Sequence, residues 1–97
     1  MGKEELIKDF ENELQIQIGE IIKEVYKPTL FLRIAAEVGL YQAAVRIVEQ
    51  EKNPSGFIKL LEAQRTELSI EAIVVKDKYR SIFSEKAIKN CEARLRI

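Results

Sequence analysis

One apolar stripe in the first 26 residues most constrains how this chain can fold. Apolar residues recur there in steps of three and four, at Ile7, Phe10, Leu14, Ile18, Ile21 and Val25. This spacing places them on one face of an α-helix. Such a helix is about 35 Å long, more than the rest of so small a domain readily covers. We therefore predict that residues 1–26 form a long helix whose association face is Ile7, Phe10, Leu14, Ile18 and Ile21.

Proline and glycine divide the rest of the chain, residues 28–97, into shorter helices. Pro28 ends the first helix and opens a second one, predicted over 29–38. Gly39 interrupts the pattern, and a third helix is predicted over 40–51. These residues predict a compact helical core behind the long N-terminal helix.

Turn residues and serines indicate where the remaining helices begin. The turn NPSG, residues 53–56, places Ser55 to cap a fourth helix through residue 64, while Ser69 and Ser84 are placed to cap two more segments. The β-branched run 73–75 favours a strand in isolation, but the sequence holds no second strand to pair with it. We predict an all-α fold, a small bundle of about five to six helices in one domain, 1–97.

Composition excludes several classes of protein. With 46% hydrophobic and 33% charged residues, the chain is not a disordered tail, and no apolar run approaches the roughly 20 residues that a membrane span needs. The net charge is zero, with 6 basic against 9 acidic side chains in residues 1–50 and 10 against 7 in residues 51–97. Cys91 is the single cysteine, which excludes an intramolecular disulfide. We expect a soluble, cytoplasmic protein.

The sequence offers little chemistry for catalysis. It has no histidine, the commonest general base and metal ligand. Cys91 falls on the apolar side of the last helix, which is typical of a buried structural thiol. The glutamates of the first helix suit its positive N-terminal end better than a metal site. We expect no enzyme activity, no cofactor, no metal and no small-molecule substrate.

Residues 33–50, RIAAEVGLYQAAVRIVEQ, resemble a helix-turn-helix unit. Ala35 matches the small residue where the two helices touch, and Gly39 matches the turn glycine. The resemblance implies that the second helix carries the possible DNA contacts Tyr41, Gln42, Arg46 and Gln50. Glutamine pairs with adenine and arginine with guanine in the major groove. Any antiparallel helix pair also needs this apolar pattern, and helix pairing without DNA is the favoured interpretation.

A second resemblance extends over residues 26–95. The residues that carry it are Tyr26, Pro28, Thr29, Phe31, Gly39, Gly56, Phe57, Leu60, Glu62, Arg65, the run ELSIE at 67–71, Tyr79, Phe83, Arg94 and Leu95. They make the chain similar to a small helical domain of uncharacterised bacterial proteins. This resemblance implies a bacterial or phage accessory module, with Arg65 and Glu71 as structural ions or as an ordinary surface pair.

Two functions from different classes therefore stay open. In the first, the chain is a non-catalytic module for protein–protein interaction or homo-oligomerisation, acting through its long first helix. In the second, it is a small DNA-binding regulator that reads DNA with residues 33–50. We favour the first, and we expect no contact with a membrane in either.

Overall fold

The fold is all-α, as the sequence predicts. A computed structural model describes residues 2–96, and every regular element in that part of the chain is helical. The α-helices are α1 Lys3–Glu24, α2 Thr29–Val38, α3 Leu40–Val48, α4 Ser55–Glu62, α5 Ile70–Val74 and α6 Glu85–Leu95. Two 3-10 helices, Thr66–Leu68 and Asp77–Ile82, lie on either side of α5. No helix among these is both long enough and apolar enough to cross a bilayer.

The long first helix packs on the chain's own core. Four stripe residues, Phe10, Leu14, Ile18 and Ile21, are buried, and Ile7 is half-buried against the same core. Helices α3 and α5 and both 3-10 helices contact α1. The longest dimension of the domain is 35 Å, which matches the length of a 22-residue helix, about 33 Å. The five residues predicted as an association face therefore pack against the chain's own helices, which leaves little of them exposed in this fold.

Aromatic rings surround Phe10 at the centre of the core. Its ring lies 5.0 Å from that of Phe83, 5.5 Å from that of Tyr79 and 6.2 Å from that of Tyr41, measured between centroids. All three contacts are edge-on, the arrangement that aromatic pairs prefer. Phe10 thus joins α1 to α3 and to the segment after α5.

A single residue connects α2 to α3. Gly39 has φ 91° and ψ 158°, a left-handed conformation that a side chain disfavours. The Glu11 carboxylate on α1 accepts a hydrogen bond of 3.0 Å from the backbone N–H of Tyr41 and so caps the start of α3. The predicted bounds of α2 are confirmed, while α3 ends at Val48 instead of residue 51.

The predicted serine caps are confirmed for α5 and α6. Ser69 and Ser84 each accept a hydrogen bond of 3.1 Å from the backbone N–H three residues ahead. Ser55 is instead the first residue of α4, which ends at Glu62 and not at residue 64. Helix α5 ends at Val74, within the β-branched run, because such residues lose side-chain freedom in a helix.

Arg65 and Glu71 do not pair with each other. The Arg65 guanidinium lies 2.8 Å from Glu24 and 2.6 Å from Glu67 at the surface. The Glu71 carboxylate lies 3.0 Å from the guanidinium of Arg94, and both side chains are buried. Glu71 is therefore a structural ion, but its partner comes from α6.

Candidate interaction site

An apolar cleft opens where α1 ends and α2 begins. Its other walls come from α4, α5 and one residue of α3, and its volume is about 290 Å³. Among the described residues that line it, the apolar ones include Ile18, Ile21, Leu30, Phe31, Ile47, Phe57, Leu60 and Ile70. We call this space the α1–α4 cleft. Concave, mostly apolar spaces with a few polar groups are the usual binding sites of proteins.

Two prolines and one glycine shape the cleft. Pro28 and Pro54 precede α2 and α4, so both helices begin at its edge. Gly56 lies so near Tyr26 that a Cβ at position 56 would overlap the tyrosine hydroxyl. The Lys59 ammonium lies 4.9 Å from the centre of the Tyr26 ring. Helix α4 thus contacts Tyr26, just after α1, and its Leu60 also packs in one buried cluster with Ile21 of α1.

Buried rings form the inside of the cleft, and one exposed leucine stands at its mouth. Phe31 and Phe57 are buried, whereas the Leu30 side chain is 62% exposed. Phe31 is buried on the face of α2 that contacts the core, and Leu30 lies outside that face. A partner that covered the mouth would bury Leu30, which contributes about 1.5–3 kcal/mol when fully removed from water.

The polar groups of the cleft are few. Burial and the nearby negative charge of Glu71 raise the pKa of the Tyr26 hydroxyl above its usual value. Lys27 and Lys59 are exposed at the edge, and Glu71 contributes to the buried wall. Tyr26 therefore stays protonated at neutral pH and can act as a hydrogen-bond donor.

The pair formed by Glu71 and Arg94 stabilises the wall behind the cleft. Arg94 also donates to the backbone carbonyls of Ile47, Gln50 and Lys52, where α3 ends. Burial raises the pKa of Glu71 even beside the guanidinium. Arg94 thereby connects α6, α5 and the end of α3, and it fixes the position of Ile47 in the cleft.

The predicted association face contributes to the cleft only at its far end. Ile18 and Ile21 line it, while Phe10 and Leu14 lie in the main core with Ile7 packed beside them. The sequence analysis missed Leu30, Tyr26 and Lys59. The sequence carried no clear signal for Leu30, since single apolar residues are common on protein surfaces, and Ile16 is exposed as well.

The four possible DNA contacts differ in exposure. Gln42 and Arg46 are exposed on the outer side of α3, and Gln50 is exposed beyond the end of that helix. Tyr41 is half-buried, and its hydroxyl donates to the carbonyl of Ile82. Tyr41 thus contributes to the core, Gln42 and Arg46 form one polar face, and Gln50 is not part of that face.

Cys91 is buried in the main core. Burial raises the pKa of its thiol to about 12. The thiol therefore stays protonated at neutral pH, as expected of a structural cysteine.

Comparisons of this chain with protein-family models, with curated proteins and with solved structures found no match.

Proposed function

We propose that this chain is a non-catalytic helical module for protein–protein interaction that receives a segment of another protein in the α1–α4 cleft. The observation that carries the proposal is the cleft itself, an apolar space of about 290 Å³ beside the exposed Leu30. Interface energy concentrates where large side chains of one protein fill pockets of the other. The free Cys91 suits the cytoplasm, and the bacterial origin implied by the second resemblance stays a prediction.

The size of the cleft favours side chains of a protein over a separate small molecule. Small-molecule pockets enclose about 300–1,000 Å³ and bury most of their ligand. At about 290 Å³ this cleft is at the lower limit of that range, and it is open along the exposed Leu30. Such a space suits one or two apolar side chains whose backbone stays outside.

Self-association needs a different surface from the one predicted, because the stripe of α1 is buried. A second copy of the chain is therefore an alternative occupant of the cleft. Light scattering of the purified chain separates the two cases. If the chain is a dimer that Leu30→Asp converts to a monomer, the occupant is a second copy and not a segment of another protein.

We expect Leu30→Asp to weaken partner binding strongly, because it would place a carboxylate at the apolar contact. The probe is a random peptide library displayed on phage and selected on the full chain. Peptides enriched by the wild type should bind Leu30→Asp about thirtyfold more weakly, which corresponds to the 2 kcal/mol of an interface hot spot. Fluorescence anisotropy with the enriched peptides measures this difference.

Ile16 offers a matched control for this substitution. It is 70% exposed, as apolar as Leu30, and lies on the side of α1 away from the core. Ile16→Asp should keep the affinity of the wild type. A library from which no peptide is enriched, or peptides that bind Leu30→Asp as tightly as the wild type, would contradict the proposal.

A second candidate function, DNA binding, is favoured by the exposed face of Gln42 and Arg46 on α3. If this face enters the major groove, Arg46→Ala should weaken binding to a cognate duplex by about tenfold, since a bidentate arginine–guanine contact contributes about 1–3 kcal/mol. Selection from a random duplex pool followed by mobility shift tests this. Lys86→Ala, which removes one exposed charge from α6, is the control. No enrichment of any duplex at low salt would contradict DNA binding.

A further inference from the structure

Two lysines border the α1–α4 cleft without a carboxylate partner. Lys27 lies between α1 and α2, and Lys59 lies on α4 above the ring of Tyr26. Neither takes part in an ion pair within the described residues 2–96. Both ammonium groups are therefore available to a negatively charged ligand at the edge of the cleft.

The backbone adds positive charge at the same edge. Helices α2 and α4 both begin there after a proline, and neither has a side-chain cap on its first N–H groups. Uncapped N-termini carry partial positive charge. The nearest cap candidate, the hydroxyl of Thr29, donates instead to the carbonyl of Lys27.

Among residues 2–96, the one carboxylate that lines the cleft does not offset this charge. Glu71 is buried, and its carboxylate pairs with Arg94 at 3.0 Å. The ion pair is close to neutral as a unit, so the edge of the cleft stays positive. An apolar interior with a cationic edge is complementary to an apolar segment with acidic neighbours.

We infer that the partner segment carries one or two large apolar residues flanked by Asp or Glu. This inference rests on the proposed function and adds the chemistry of the partner. The apolar residues enter the cleft beside Leu30, and the flanking carboxylates lie near Lys27 and Lys59. Attraction between these charges steers the correct segment and disfavours basic ones.

Two peptide pools test the inference. Both keep the same randomised apolar positions, but one has Asp and Glu at the flanking positions and the other has Lys and Arg. The full chain should enrich peptides from the acidic pool, and their affinity should fall as salt is raised. Lys27→Gln combined with Lys59→Gln should weaken acidic peptides about threefold to thirtyfold, the effect of two exposed ion pairs.

A double substitution elsewhere on the surface controls for net charge. Lys8 and Lys86 are also exposed, they lie outside the cleft, and no ion pair of the described residues includes them. Lys8→Gln combined with Lys86→Gln should leave the affinity within about twofold, because distant exposed charges are screened. Equal weakening by both doubles would overturn the inference.

The outcomes also separate this inference from the proposed function. One outcome is that both pools are enriched equally, or the basic pool more strongly, while binding still depends on Leu30. In that case the proposed function stands, and the inference of an acidic partner is wrong. If neither pool is enriched, both fail.

Discussion

Replacing Arg94 by methionine is expected to lower the free energy of unfolding by about 3–5 kcal/mol, the range observed when one partner of a buried ion pair is removed. The guanidinium lies 3.0 Å from Glu71 and donates to three backbone carbonyls at and beyond the end of α3. Without it, the buried Glu71 carboxylate and the carbonyls of Ile47 and Lys52 lose this donor, while the Gln50 carbonyl keeps the Asn90 amide. Urea denaturation of Arg94→Met measures this loss. Lys86→Met, a substitution at an exposed position of the same helix, is the control.

The loss should depend on pH through Glu71. Burial already raises the pKa of Glu71, and removal of the neighbouring cation raises it further. Ionised Glu71 then destabilises the folded variant at neutral pH. The folded variant takes up a proton on Glu71 at a higher pH than the unfolded chain does. This destabilisation therefore decreases as pH falls from the raised folded-state pKa towards about 4.3, the ordinary pKa of glutamate.

A double variant keeps this prediction testable if Arg94→Met alone does not fold. Glu71→Met combined with Arg94→Met removes both charges together, and apolar replacement of a whole buried pair is often neutral or stabilising. The double variant should therefore be more stable than Arg94→Met at neutral pH. If Arg94→Met proved as stable as Lys86→Met, the pair of Glu71 and Arg94 would contribute nothing to the free energy of unfolding.

Phe10→Ala is expected to cost about 3–5 kcal/mol, as is usual for a fully buried phenylalanine. Its side chain is 0% exposed and touches three aromatic rings from other parts of the chain. Ile16→Ala, on the exposed side of the same helix, should change stability by less than about 0.5 kcal/mol. Thermal unfolding of both variants measures this, and an equally small effect of Phe10→Ala would mean that α1 is not part of the core.

The sequence alone predicted where the helices lie better than it predicted which other helices each one packs against. Local signals located α2, the break at Gly39 and the serine caps, because capping and turn chemistry act within three or four residues. The apolar face of α1 was also located correctly. What covers that face depends on residues far along the chain, such as Phe83, which contacts Phe10 from 73 positions away, and periodicity carries no information about them.

The candidate site was hidden for the same reason. The pair of Glu71 and Arg94 joins residues 23 positions apart, and the local pattern pointed instead to Arg65, which binds Glu24 and Glu67. The cleft combines residues of five helices, α1 to α5, so no single window of sequence contains it. Leu30 was not predicted either, because a single exposed apolar residue is common on protein surfaces.

The most direct test of the account is a methyl spectrum of the full chain titrated with an acidic peptide enriched from the library. Isoleucines 18, 47 and 70 line the cleft, whereas Ile7 and Ile16 lie elsewhere on α1. We expect the methyl signals of Ile18, Ile47 and Ile70 to shift as the peptide binds. The signals of Ile7 and Ile16 should stay in place. Shifts confined to Ile7 and Ile16, with the cleft signals unchanged, would contradict the account.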